Sequence, residues 1–167
     1  RSTPDHTEVE FEMNISDENG NEWQDTFTVE VLPTAANLEY SKHTLVYDDN
    51  QNGQANAGET VYLRVFIKNS GTSRANEVKA SISTSNTYVS NLEPANEIIY
   101  NSGYGDGTIL AGSEKYGKAG YAPSYDDYTV KFDIEQGAPG GTVITLNMNI
   151  SDECGNTWED EFTLIIQ

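Results

Sequence analysis

The sequence predicts an all-β chain, an antiparallel β-sandwich with an extra β-hairpin on its N-terminal side. Three observations carry this expectation. Apolar and polar residues alternate along most of the chain, the period of a strand with one buried and one wet face. Clusters of Asn, Asp, Gly and Ser interrupt the alternation, as hairpin and loop chemistry requires. One strand–turn–strand segment occurs twice.

The first ladder is Val9, Phe11, Met13 and Ile15, set between Glu8, Glu10, Glu12 and Asn14. Val61, Leu63, Val65 and Ile67 form a second, with Tyr62 and Phe66 making its other face partly apolar. Val78, Ala80 and Ile82 form a third, and Tyr128, Val130, Phe132 and Ile134 a fourth. Ile144, Leu146, Met148 and Ile150 form a fifth, and Phe162, Leu164 and Ile166 a sixth. One wet face per strand is the mark of antiparallel sheets. Seven or more such strands within ~135 residues point to an immunoglobulin-like architecture. The Cys…Trp…Cys framework of antibody domains is missing, since Cys154 is the only cysteine.

The repeat sets the expected domain boundary. Residues 13–31 read MNISDENGNEWQDTFTVEV and residues 148–166 read MNISDECGNTWEDEFTLII, with 12 of 19 positions identical at an offset of 135. Gly20 and Gly155 sit where a tight turn needs a positive φ. The expected organisation is a tandem array with a unit of about 135 residues. Residues 33–167 then make one complete unit, and residues 1–32 hold the closing hairpin of a preceding unit plus the junction Leu32-Pro33-Thr34. The alternative is a local duplication inside one larger domain. In the array reading, the apolar face of the first hairpin extends a sheet of its own chain or inserts into a neighbouring molecule, and gives a route to self-association.

Composition narrows the function. Asp plus Glu number 27 against 9 Lys plus Arg, for a formal net charge of -18. A nucleic-acid footprint should be basic, and anionic membranes repel such a chain. One cysteine allows neither an intrachain disulfide nor a thiolate zinc site. No apolar run approaches the ~20 residues of a spanning helix, so no membrane insertion is expected. The chain opens with Arg1 and carries no signal peptide, and so reads as a mature or excised fragment. Gly-x-Ser-x-Gly, phosphate-loop and His-Glu-x-x-His motifs are absent. His6, His43 and Cys154 supply little for acid–base or nucleophilic work, and acidic residues are too numerous for any carboxylate pair to be distinctive. The expectation is a chain without catalytic activity.

Residues 48–59, DDNQNGQANAGE, match the twelve-residue calcium loop D-x-[DN]-x-[DN]-G-x₅-E at every constrained place. Calcium takes six to eight hard oxygens. Asp48, Asn50, Asn52 and Glu59 would supply side-chain oxygens, Gln54 a backbone carbonyl, and Asn56 a direct or water-mediated contact. Gly53 allows the bend. Strands flank this loop where an EF-hand has helices, so the ion would pin an inter-strand loop. With two charged ligands, its affinity is expected at about 10⁻⁴ to 10⁻³ M, as in extracellular modules. The alternative is an Asn/Gly-rich turn without an ion.

This loop, followed by Gly58-Glu59, the strand Thr60–Lys68 and Asn69-Ser70-Gly71, resembles bacterial cell-adhesion-related immunoglobulin-like modules. These occur in secreted multidomain proteins, including those following gingipain-type protease domains. The glycine-bearing stretch Gly107–Gly112 and the closing strands with Trp158 are similar as well, and the resemblance covers most of residues 38–167. It implies an immunoglobulin-like fold, a secreted or cell-surface setting, and neighbouring repeat units, a surface protein or a glycan as partners.

Seven of the ten tyrosines fall at 88, 100, 104, 116, 121, 125 and 128. Aromatic loops rich in small residues are common binding surfaces. Tyr104, Tyr116, Tyr121 and Tyr125 are the candidate ligand-binding residues. Equally, tyrosines cap the end of a sandwich with the ring inside and the hydroxyl in water. The leading expectation is therefore a calcium-stabilised adhesion or spacer module. A carbohydrate-binding module and an accessory domain of a secreted enzyme are the alternatives.

Overall fold

A computed structural model describes residues 7–31, 34–100, 107–124 and 126–167. The chain divides into two units, residues 1–35 and 36–167. All regular structure among the described residues is β, and every pairing is antiparallel.

Among its described residues the first unit holds one hairpin, β1 (Thr7–Ser16) and β2 (Glu22–Val31). They pair without interruption from Ser16↔Glu22 to Thr7↔Val31. Asp17 organises the turn: its carboxylate accepts from the backbone N–H of Asn19 and of Asn21, both at 2.9 Å, and from Asn21 Nδ2 at 2.8 Å. Those bonds hold the Asp17 carboxyl below the usual carboxylate range. Gly20 takes φ +80°, a conformation that a side chain would strain. Phe11 and Phe27 stack with centroids 5.2 Å apart. On the same face Val9, Phe11, Met13, Ile15, Trp23, Phe27 and Val29 are each 38% to 53% exposed.

The second unit contains two main sheets. One has the order β3-β4-β11-β6, from β3 (Leu38–Asp48), β4 (Thr60–Asn69), β11 (Val130–Ile134) and β6 (Val89–Glu93), with β8 (Glu114–Tyr116) also paired to β4. β11 runs along Thr60–Leu63 of β4 and β8 along Phe66–Lys68. The other sheet has the order β13-β12-β5-β7, from β5 (Lys79–Ser83), β7 (Ile98–Ile99), β12 (Val143–Ser151) and β13 (Thr157–Ile165). A small ribbon pairs β9 (Gly120–Tyr121) with β10 (Asp127–Tyr128).

The alternation in the sequence becomes the core. Val61, Leu63, Val65 and Ile67 of β4 are wholly buried, and so are Val130 and Phe132 of β11. They form one cluster with Ala80 of β5, with Ile144, Leu146, Met148 and Ile150 of β12, and with Phe162 and Leu164 of β13. The two sheets therefore share one apolar layer, the arrangement of a β-sandwich.

The fourth ladder is shorter than the alternation suggests. Tyr128 belongs to β10, paired with Gly120, and its ring meets Tyr62 edge-on at 5.1 Å. The wholly buried residue next to it is Thr129, whose Oγ1 accepts from Val65 N at 3.0 Å. A polar side chain thus takes the inward place, and the apolar ladder starts at Val130.

Tyr100 shows that the tyrosines play unlike roles. It is fully buried, and burial drives its hydroxyl pKa far upward. The hydroxyl has no hydrogen-bond partner among the described residues. An unmet buried hydroxyl costs about 1–3 kcal/mol. Tyr100→Phe should therefore raise stability by roughly 1 kcal/mol, read from a urea unfolding curve. A loss of more than about 1 kcal/mol would mean that the hydroxyl is satisfied in solution.

Candidate functional site

The candidate site is the loop between β3 and β4. Asp48 ends β3 and is only 3% exposed, and Glu59 precedes β4 at 8%. The Asp48 carboxylate accepts from Asn52 N at 2.9 Å through one oxygen and from Gly53 N at 3.1 Å through the other. Glu59 Oε2 accepts from Asn56 N at 3.1 Å. Both buried carboxylates are thus tied to backbone amides of the same short loop.

The asparagines add a second layer. Asn50 Oδ1 accepts from Asn52 N at 2.9 Å, and Asn52 Oδ1 from Gln54 N at 2.8 Å, two successive side-chain-mimicked turns. Asn56 Oδ1 accepts from Asn50 Nδ2 at 3.2 Å and from Asn52 Nδ2 at 2.8 Å. Gly53 and Gly58 take φ +76° and +82°, and Gln51 lies in the left-handed region at φ 56°. Of the six sequence-predicted residues, Asp48, Asn50, Asn52, Asn56 and Glu59 share this network by their side chains, and Gln54 joins it by its backbone.

Contacts that the sequence reading missed anchor the loop. Thr60 N donates to Asp49 Oδ2 at 2.9 Å, and Gly58 N donates to Ile134 O at 2.9 Å. Gln167 N donates to Ala55 O at 2.9 Å, and Asn56 Nδ2 donates to Gln167 O at 3.3 Å. The loop is therefore held to β11 and to the residues after β13. Only Asp49 carried a local signal, as an acid beside a turn; the rest are contacts remote in sequence.

The donor set is hard oxygen, which suits calcium and not a soft metal. Among the described residues, no three His, Cys, Asp or Glu side chains converge to hold a metal. An ion here would rest on two carboxylates and on amide oxygens, with Asn50 and Asn52 turning about χ2 to present oxygen where nitrogen now faces Asn56.

The tyrosine candidates are differently placed. Tyr104 and Tyr125 lie outside the described residues. Tyr116 is half-buried in β8; its hydroxyl donates to Asp127 Oδ2 at 3.1 Å, and the Arg64 guanidinium lies 4.8 Å from its ring centroid. Burial, then the bond to Asp127, raises its pKa. Tyr121 is 59% exposed, with Lys118 Nζ 3.9 Å from its ring centroid. Lys118 Nζ also meets Asp127 Oδ1 at 2.9 Å, and hydrogen bonding to Tyr121, then to Asp127, raises its pKa. A cation thus covers one face of each ring. Tyr88 is half-buried against the core and Tyr128 half-buried against Tyr62, so Tyr121 is the one exposed tyrosine among the described residues of this segment.

Cys154 is exposed at the β12–β13 turn, and its N–H donates to Asp152 Oδ1 at 3.0 Å. Comparison of the sequence with protein-family models and with curated proteins finds no match.

Proposed function

We propose that residues 36–167 form a non-catalytic, immunoglobulin-like spacer or adhesion module of an extracellular repeat array, braced by calcium in the β3–β4 loop. The observation that carries this reading is the loop itself. Two buried carboxylates stand at its ends, and three carboxamides converge between them within twelve residues. Burying a carboxylate is costly unless a cation or amide dipoles compensate. The role of an ion here is mechanical. It would fix the β3–β4 connection, and through Ala55, Asn56 and Gly58 the ends of β13 and β11, which suits a unit that passes load along a chain of domains. The acidity of the chain favours cation uptake and keeps the units from self-adhering.

The test is thermal unfolding with and without calcium. A ligand bound only by the native state at tenfold excess over its Kd adds about 1.4 kcal/mol. That corresponds to a rise of about 4 °C in Tm for a unit of this size. Glu59→Gln should remove most of the gain while leaving the calcium-free Tm close to the parent's. Identical melting curves in millimolar calcium and in chelator would reject the ion.

A further inference from the structure

We propose that β1–β2 is a donor hairpin: it docks on a β-sandwich of this chain's own design whose closing hairpin is absent, with the free edge of β1 paired to the counterpart of β5. The proposal rests on the array reading for the source of that partner, and on this chain alone for the fit.

The two hairpins agree in register as well as in sequence. Ile15↔Trp23, Met13↔Asp25, Phe11↔Phe27 and Val9↔Val29 in the first are Ile150↔Trp158, Met148↔Asp160, Leu146↔Phe162 and Ile144↔Leu164 in the second, all at the offset of 135. The turns agree atom by atom. Asp152 Oδ1 accepts from the N–H of residues 154 and 156 at 3.0 Å, as Asp17 Oδ1 does from 19 and 21, and Gly155 takes φ +80° like Gly20.

What differs is the fate of the apolar face. Ile144, Leu146, Met148, Ile150 and Phe162 are 0% to 4% exposed, while Val9, Phe11, Met13, Ile15 and Phe27 are 38% to 51% exposed. A hairpin is marginal in water without a packed face, and a patch this continuous marks an interaction surface.

The second hairpin also shows what covers that face. β12 pairs with β5 through Asn147↔Ser83, Met148↔Ile82, Asn149↔Ser81, Ile150↔Ala80 and Ser151↔Lys79. Asp160 Oδ2 accepts from Tyr40 N of β3 at 2.7 Å, and Phe162 stacks on Tyr40 at 5.0 Å. Glu153 N donates to Asn76 O at 3.1 Å. These contacts reach outside the hairpin, so an isolated hairpin has no use for the residues that make them. Yet the first copy retains them: Met13, Asn14, Ile15 and Ser16 along the edge, Asp25 for Asp160, Phe27 for Phe162, and Glu18 for Glu153. Asp25 bonds its neighbour, Thr26 N, through Oδ1 at 2.9 Å, as Asp160 bonds Glu161 N. The outward face agrees too: Glu8, Glu10 and Glu12 stand where Val143, Thr145 and Asn147 point away from the core. The occupant is therefore a sandwich presenting a β5-like edge, a β3-like backbone N–H and an open core, with Met13 opposite its counterpart of Ile82.

Two full-chain variants test this. In the first, the sequence of residues 143–165 is replaced by that of residues 8–30. The transplanted hairpin should close the sandwich, with cooperative unfolding and a Tm within about 10 °C of the parent, since most core replacements are apolar for apolar. The second carries Ile144→Asp and Leu146→Asp to expel the resident hairpin, with Met13→Cys, Ile82→Cys and Cys154→Ser as a trap. Oxidation should then form the 13–82 disulfide, within or between chains, and adding Phe11→Asp and Ile15→Asp should abolish it. A transplant that does not fold, or a 13–82 disulfide that forms equally with the β1 aspartates present, overturns the proposal. Either failure leaves the calcium result of the array reading untouched.

Discussion

Asn69→Ala should cost the sandwich roughly 3–5 kcal/mol, a large part of the 5–15 kcal/mol that holds a typical domain together. Asn69 is wholly buried at the end of β4. Its Nδ2 donates to Ser73 O at 2.7 Å and to Ile109 O at 3.0 Å. Its Oδ1 accepts from Asn37 N at 3.2 Å and from Gly71 N at 3.1 Å. Four side-chain bonds to four backbone groups thus tie the approach to β3, the turn after β4 and the crossing segment at Ile109. The main chain adds two more bonds, Asn69 N to Ser113 O and Gly112 N to Asn69 O. Alanine leaves two donors, Asn37 N and Gly71 N, and one acceptor, Ser73 O, without these partners, each worth about 1 kcal/mol or more when shielded from water, while Ile109 O keeps its bond from Ala75 N at 3.0 Å. Asn69→Asp separates the halves of the effect. It keeps the acceptor, loses both donors and brings a charge into the interior, so it should be at least as damaging as alanine at neutral pH. Urea unfolding followed by circular dichroism reads both variants. A loss under about 1 kcal/mol for alanine would show that this junction is wet and adaptable.

Gly107→Ala is the second large effect expected, at roughly 2–4 kcal/mol. Gly107 is buried with φ +79°, where any Cβ is strained. A Cβ there would also sit 2.9 Å from Glu77 Cα and 3.0 Å from Val78 N, and both of those atoms are backbone. No rotamer change relieves such a contact, so one of two packed segments must move. The segments are joined here: Val78 N donates to Gly107 O at 3.0 Å, and Tyr100 N donates to Val78 O at 2.9 Å. Gly53→Ala is the control. Gly53 has φ +76° but open space around its Cβ position, so it should show the backbone strain alone, about 1–2 kcal/mol. Equal losses in the two variants would remove the steric part of the argument.

The alternation of β1, β4, β5, β12 and β13, which becomes buried core in all of these but β1, and the equivalence of the two hairpins were legible in the sequence, whereas the short strands β6 to β10 were not. The reason is that the legible features are local: a period of two, a turn aspartate and a glycine with positive φ act within a few residues of one another. The calcium-like spacing of residues 48–59 was legible for the same reason. Its anchoring to Ile134 and Gln167 was not, because those partners lie far along the chain and leave no periodic trace. Tertiary structure alone decided which strands share a sheet, with β12 joining β5 and β11 joining β4. It also decided which of the alike tyrosines is buried, as Tyr100 is, or exposed, as Tyr121 is. Asn69 shows the limit most clearly. As sequence it is a turn residue, and only the convergence of three separate segments on its one carboxamide makes it the polar centre of the fold.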